Sequence, residues 1–233
     1  MSAGCGGAAA AELRSVSPAE LALNGRLVLS FGAALDPLSV DASSVVVSGV
    51  DGRPLPAEVG VEAGQLVIRP VATPELVAQP PEALQVRLAG LPSPHALRTA
   101  GGRALGRGQT LRVPLRPVLL DEGPAPPRLV EPAKALVNVP ADGRVVLAFD
   151  GVLDPATVTP GDCALQPVAG GLVLTGAPVL PEVGWRCVGR RFELTLRLPP
   201  ASGALQLSLR RSGLRGLDGR VPEPARELEL RSR

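Results

Sequence analysis

The sequence predicts an all-β chain built as two tandem β-sandwich domains. Three observations predict it. A stretch of the first half is rewritten in the second, the apolar residues alternate with period two, and Gly and Pro punctuate the chain at short intervals with no convincing long helix between them. The 233-residue length suits two domains of ordinary size.

The repeat is read first, because it sets the architecture. Residues 25–40, GRLVLSFGAALDPLSV, align without a gap on residues 143–158, GRVVLAFDGVLDPATV, with nine of sixteen positions identical. Chance alone would give about one or two identities, which is the signature of an internal repeat. The likeness continues more weakly: ALQVRL (83–88) with ALQLSL (204–209), GGRAL (101–105) with DGRVP (218–222), and TLRVPL (110–115) with ELELRS (227–232). Each copy is about 100 residues long, an ordinary domain size. The spacing drifts between them as loops take up insertions.

Within the first copy, Leu27, Leu29 and Phe31 fall on one strand face. Further strands are predicted at 44–49, 65–70, 84–90 and 110–115. In the second copy Val145, Leu147 and Phe149 repeat that face. Strands are then predicted at 163–168, 171–176, 185–189, 191–198, 205–211 and 226–232. EAGQ (62–65) and VGRR (188–191) read as tight hairpin connections. About seven short strands per copy fit an Ig-like sandwich. The domains are expected over 13–116 and 128–233. Residues 117–127, with their prolines and a glycine, read as a semi-rigid linker, and residues 1–12 as an N-terminal tether.

The repeated Leu-Asp-Pro has a physical reading. Asp36 and Asp154 are placed to cap a short helical turn, each carboxylate accepting from a backbone N–H two or three residues on. Pro37 and Pro155 suit the first helical position, where the missing N–H costs nothing. The other reading is a Ca²⁺ site, which needs six to eight oxygen ligands; no acidic cluster surrounds either Asp in sequence. Phe31 and Phe149 are expected to be equivalent core anchors, since two of only three phenylalanines stand at one repeated position.

The order of these motifs, with SVSPAE (15–20) and LVEPAK (129–134) ahead of the first long strand and SGLRGLDGR (212–220) near the end, resembles bacterial Ig-like domains of the SbsA/Big_5 type. The first copy departs from the pattern at TAGGRALG (99–106), which lacks the Asp that stands at 218 in the second. The resemblance covers nearly the whole chain after Leu13. It implies β-sandwich modules of cell-surface, S-layer and secreted bacterial proteins, and no enzyme. It carries no binding residues over to this chain.

MSAGCGG at the N-terminus looks like a lipobox, with Cys5 as the residue that would receive lipid. Ser2 stands where Leu is usual, and no charged and apolar leader precedes it. The alternative is a chance Ala/Gly-rich start. On the lipoprotein reading the chain is held at a membrane by an N-terminal lipid anchor, in the cell envelope, on the periplasmic or surface side of the outer membrane. If Met1 is the true start, the chain is cytoplasmic. Cys163 and Cys187, both in the second copy, are expected to pair in an oxidising envelope; the alternative is two buried thiols acting as small apolar residues.

Composition narrows the function classes. Apolar residues make up 45% and charged residues 20%, ample for buried cores and too charged for a membrane protein. No run of eighteen apolar residues exists to span a bilayer as a helix. The formal net charge of +2, with the arginines scattered along the chain, argues against a nucleic-acid partner. No metal-ligand spacing occurs, and no cofactor is implied. His95 is the single histidine; a Ser93/His95 pair is conceivable, but no acidic residue lies near it in sequence. GGRALGRG (101–108) superficially resembles a phosphate loop and reads better as a sandwich turn. Trp185 could stack on a sugar, though a lone Trp in a strand is more often core. Two function classes remain. One is a non-catalytic spacer or protein-interaction module, with an envelope or surface protein as partner. The other is a glycan- or peptide-binding module using the loops at one end of a sandwich, which the scarcity of aromatics disfavours.

Overall fold

The computed structural model describes residues 11–169, 172–199 and 203–232. The chain divides into two compact units, with the main boundary between Val118 and Leu119 and the three residues Ala72–Pro74 grouped with the second unit.

Unit 1 contains β1 (Leu13–Ser17), β2 (Leu21–Ala22), β3 (Leu27–Phe31), β4 (Val45–Gly49), β5 (Ala57–Glu62) and β6 (Gln65–Pro70). A short helix, α1 (Pro74–Ala78), leads on to β7 (Ala83–Leu88) and β8 (Gln109–Arg116). They form two four-stranded sheets, β1-β3-β6-β5 and β2-β8-β7-β4. The opening segment thus serves both sheets: β1 runs antiparallel to β3, and β2 parallel to β8.

Unit 2 repeats this strand for strand. It has β9 (Arg128–Glu131), β10 (Leu136–Val139), β11 (Arg144–Asp150), β12 (Gln166–Ala169), β13 (Leu172–Val173), β14 (Glu182–Val188), β15 (Arg191–Arg197), β16 (Ala204–Ser208) and β17 (Glu227–Ser232). The sheets are β14-β15-β11-β9 and β10-β17-β16-β12-β13. Apart from β13 the two orders coincide. The opening segment again divides, with β10 parallel to β17. Ser17–Pro18 and Glu131–Pro132, at the point of division in each copy, are both cis.

This strand order is that of an Ig-like sandwich, one sheet of first, second, fifth and fourth strands facing another of third, sixth and seventh. The alternation explains it locally. In β15 the side chains of Phe192, Leu194 and Leu196 are buried, while Arg191 and Arg197 are exposed. Leu27, Leu29, Leu66 and Ile68 fill the matching side of unit 1, against Leu84, Val86 and Leu88 of the other sheet. The hairpins turn where the sequence predicts. Ala63 and Gly64 both take positive φ, +49° and +78°, between β5 and β6. Gly189 takes φ +56° between β14 and β15.

The two phenylalanines are not equivalent, contrary to expectation. Phe149 is fully buried, and Phe31 is only half-buried. The cause is hairpin length. Phe149 lies opposite Phe192 on β15, a residue that is itself stacked on Trp185 with centroids 5.2 Å apart. The β3–β6 ladder ends at Leu29 opposite Leu66. Two residues further on, that register meets the turn glycine Gly64 instead of a second aromatic. Trp185 is half-buried in this stack, which agrees with its structural reading.

The disulfide expected between Cys163 and Cys187 is not formed; both are free, buried thiols. Cys163 is also not on a strand. It lies in the turn ahead of β12, where its N–H donates to the Thr159 carbonyl at 3.0 Å. Val45 makes the same bond to Asp41 in unit 1, at 3.0 Å. Cys163 therefore fills a valine site as a small apolar residue. Burial pushes its thiol up to about 12, with the nearby Asp162 charge adding to the shift, so it stays protonated at neutral pH. Cys187 is on β14, and its Sγ donates to the Gly189 carbonyl at 3.4 Å. The strand expected over 171–176 is reduced to the two residues of β13, an edge strand whose Leu172 is 73% exposed.

Truncating Phe149 to Ala is expected to cost about 3–5 kcal/mol, as for a buried aromatic whose site cannot collapse. Phe31→Ala should cost about 1 kcal/mol, in proportion to its partial burial. Chemical denaturation of the two variants measures the difference, and equal losses would restore the equivalence of the two sites.

Candidate functional site

The repeated Asp-Pro phrase forms the same loop knot in each unit. Asp36 is extended and its Oδ1 accepts from the Leu38 N–H at 3.0 Å, capping the 3₁₀ turn Pro37–Ser39. Asp154 caps Pro155–Thr157 in the same way, accepting from the Ala156 N–H at 3.0 Å. Pro37 and Pro155 stand just inside each cap.

A second set of bonds, which the sequence reading missed, ties this turn to the loop between β7 and β8. The Asp36 N–H donates to the Arg98 carbonyl at 2.9 Å. The Ser39 hydroxyl donates to the Asp36 carbonyl at 2.8 Å and accepts from the Arg98 N–H at 3.0 Å. In unit 2 the Asp154 N–H donates to the Arg215 carbonyl at 2.8 Å, while the Thr157 hydroxyl donates to the Asp154 carbonyl at 2.8 Å and accepts from the Arg215 N–H at 3.1 Å. The signal was present as the Ser/Thr two places after Pro in both copies. Its partner lies 58 or 59 residues away and has no side-chain signature.

Gly101–Gly108 belongs to this same loop and forms a turn. The Gly102 N–H donates to the Thr99 carbonyl at 2.8 Å, and in unit 2 the Gly219 N–H donates to the Gly216 carbonyl at 2.9 Å. Both Gly102 and Gly219 have positive φ, +79° and +77°, which suits glycine.

In unit 1 the loops after β3, β5 and β7 converge on one end. Leu35 donates to the Gly64 carbonyl at 2.9 Å, and Ala100 to the Ala34 carbonyl at 2.8 Å. At this end Leu38 is 93% exposed, where unit 2 has Ala156. His95 gains an acidic neighbour that sequence spacing did not reveal: its Nδ1 lies 3.6 Å from Asp41 Oδ2, with both side chains about half exposed. The Ser44 and Ser43 N–H groups, with His95 a smaller contributor, hold the Asp41 carboxyl below the usual range. The Ser93 hydroxyl oxygen accepts from the backbone N–H of His95 at 3.2 Å, which is a local turn and not a nucleophile–base contact.

Two concavities open beside these loops. One, of about 370 Å³, lies between the edge strands β4 and β5 and is lined by Val45, Val46, Val47, Leu55 and Val59. The other, of about 480 Å³, lies at the ends of β7 and β8; its lining is mostly apolar, with Leu88, Ala89, Leu91 and Pro92 beside the polar residues Ser43, Arg87, Ser93, Gln109 and Thr110. Among the described residues, no group of three or more His, Cys, Asp or Glu gathers to hold a metal. Cys5 lies outside the described residues.

In unit 2 the linker segment is tied down. Asp121 is 12% exposed, and its carboxylate accepts from Val152 N–H at 2.8 Å, Gly123 N–H at 3.0 Å and Arg190 Nε at 2.8 Å. Burial alone would raise its pKa; the two backbone donors and the Arg190 guanidinium outweigh that and hold it below the usual carboxylate range. A side chain at Gly123 would meet the Arg190 guanidinium, which would have to shift from its bond to Asp121 to make room. Residues from Asp121 onward therefore belong structurally to unit 2, which shortens the expected free linker.

No protein-family model matches the chain, and comparison with curated proteins gives no match. Among solved structures, one on the basis of Dscam isoform specificity aligns at 13% identity over 96% of this chain and 50% of that one, with a TM-score of 0.23. The chain spans half the length of that structure.

Asp36→Ala and Asp154→Ala are each expected to cost about 1 kcal/mol through the lost cap. Ser39→Ala and Thr157→Val should each cost about 1 kcal/mol, the net worth of an ordinary hydrogen bond, with the larger loss at Thr157, whose partner N–H is part-buried while that of Arg98 is exposed. Calcium should leave every melting point unchanged; a rise in the wild type that is absent from the Asp variants would overturn the capping account. Asp121→Ala should destabilise unit 2 by roughly 2–3 kcal/mol, since charged hydrogen bonds are lost around a mostly buried group. Its depressed pKa sets the pH sign. The stabilisation is fully present above the unfolded-state value near 4 and is lost as pH falls through the lower folded-state value. Denaturation midpoints should therefore fall below about pH 4 more steeply in wild type than in Asp121→Ala.

Proposed function

We propose that this chain is a non-catalytic, extracytoplasmic interaction module of the bacterial envelope, related to the SbsA/Big_5 type of Ig-like domain and tethered to a membrane by lipid on Cys5. Supporting this are the duplicated sandwich and the loop knot at one end of each copy. That knot makes a rigid platform of segments that in most proteins are mobile. The partner on this reading is an envelope or surface protein. The sequence MSAGCGG and the small-residue segment after it support the anchor.

A second reading, recognition of a glycan or peptide by the sandwich-end loops, is favoured by the concavity at the ends of β7 and β8 in unit 1, which the Arg87 side chain lines. It places the same loops in contact with a smaller ligand.

The anchor is tested in a bacterial host with the native upstream DNA retained. Wild-type protein should partition with membranes and incorporate labelled fatty acid, and Cys5→Ser should release it to the soluble envelope fraction with no label. Membrane association unchanged in Cys5→Ser would remove the lipoprotein reading.

A further inference from the structure

We propose that the concavity at the ends of β7 and β8 in unit 1 is a binding site for an anionic glycan, recognised through sugar carboxylates. The proposal deepens the ligand-binding reading and is independent of the lipid anchor.

The arginines are spread over the whole chain, but one segment of unit 1 concentrates them. Residues 83–120 hold six arginines and no acid. Two of them have acidic partners from outside the segment: Arg112 with Glu82 at 3.2 Å, and Arg116 with Glu20 at 3.5 Å. Arg87, Arg103 and Arg107 are exposed and make no ion pair among the described residues. Arg87 lines the concavity, and Arg107 stands immediately before its lining residue Gly108. The loop is closed tightly there. A side chain on Gly90 would lie 2.3 Å from the Arg107 carbonyl carbon, so the backbone carrying Arg107 is pressed against the wall of the site.

The lining joins apolar Leu88, Leu91 and Pro92 to a few polar groups that a sugar can use: Ser43, Ser93 and Thr110 offer hydroxyls, Gln109 an amide and Arg87 its guanidinium. A guanidinium fork matches a carboxylate in two parallel hydrogen bonds. The chain has no tyrosine and one tryptophan, and Trp185 is taken up by stacking in unit 2. Stacking is thus not offered to a neutral sugar here, and charge must carry the affinity.

The fold does not require this basic surface. In unit 1, Arg87 lies opposite Thr110 and Gln85 opposite Arg112. At the corresponding register in unit 2, Ser208 lies opposite Glu227 and Gln206 opposite Glu229. At that register Arg112 stands where unit 2 has Glu229, and Arg87 where it has Ser208, so neither arginine is a requirement of the fold.

The full chain is titrated by calorimetry with uronate oligosaccharides cut from alginate, with neutral dextran oligosaccharides and with poly-L-glutamate. The uronate should bind and dextran should not. Arg87→Gln and Arg107→Gln should each weaken uronate binding by about tenfold or more, the loss expected for a charge-assisted hydrogen bond. Arg53→Gln, an exposed arginine already paired with Asp51, should leave it unchanged. Thr110→Val should weaken uronate and leave any poly-glutamate binding as it was. Absence of uronate binding, or unchanged affinity in Arg87→Gln at an unchanged melting point, overturns the site. Equal or tighter binding of poly-glutamate overturns the glycan and assigns the surface to an acidic protein. Cys5→Ser should bind uronate as wild type does, so failure of the anchor and failure of the site are read separately.

Discussion

The hydroxyl two residues after each Asp-Pro, on Ser39 and Thr157, is the contact on which the shape of each unit's loop end depends. It donates to the turn it belongs to and accepts from a backbone N–H of the loop before the last strand. One small group therefore closes a local turn and a contact across nearly 60 residues. The carboxylate cap beside it satisfies an N–H that the 3₁₀ turn leaves open. Without the hydroxyl, the backbone bonds from Asp36 to Arg98 and from Asp154 to Arg215 would still join the two loops, but the Arg98 and Arg215 N–H groups would lose their acceptor. Loops fixed in this way lose little further entropy on binding, which favours recognition by a preorganised surface.

Hairpin length is the second constraint, and it separates the two copies. The β14–β15 hairpin runs far enough to set Phe192 opposite Phe149 and to carry Trp185 onto it. The β5–β6 hairpin turns earlier, at Ala63 and Gly64, and Phe31 is left half-covered at its strand end. Aromatic packing thus concentrates in unit 2. Unit 1 relies on Leu, Ile and Val, with the groove between β4 and β5 remaining open. In unit 2, β13 extends the sheet beyond β12, the counterpart of β4.

The architecture was legible because it rests on local signals written twice. Period-two alternation named the strands, the Ala-Gly and Gly-Arg pairs named the hairpins, and Asp-Pro named the capped turns. What escaped were relations whose partners carry no sequence mark. Arg98 and Arg215 act in the knot through their backbones, so no side-chain pattern announces them. Asp121 sits among prolines and reads as linker until the fold brings Val152 and Arg190 to it. The equivalence of Phe31 and Phe149 failed for a similar reason: the repeat aligns one strand, while burial depends on the length of its neighbour. Cys163 and Cys187 suggested a bond by their confinement to one copy. The turn geometry instead gives Cys163 the place of a valine.

An internal duplication separates the residues a fold demands from those it merely permits. Two copies with one strand order share the Asp cap, the Pro after it, the Ser/Thr hydroxyl and a positive-φ glycine in the last loop. Those positions answer to backbone geometry and are occupied the same way in both. The outward register of the sheet containing β7 and β8 answers to nothing in the backbone. There Arg87, Thr110 and Arg112 stand where the other copy has Ser208, Glu227 and Glu229. A strand alternates its faces, so a charge at such a position alters the surface without touching the core. The two copies can therefore keep one architecture while changing the charge they present, Arg112 in one standing where Glu229 stands in the other. The net charge of +2 hides this difference, because the six arginines of residues 83–120 are offset by acids elsewhere in the chain.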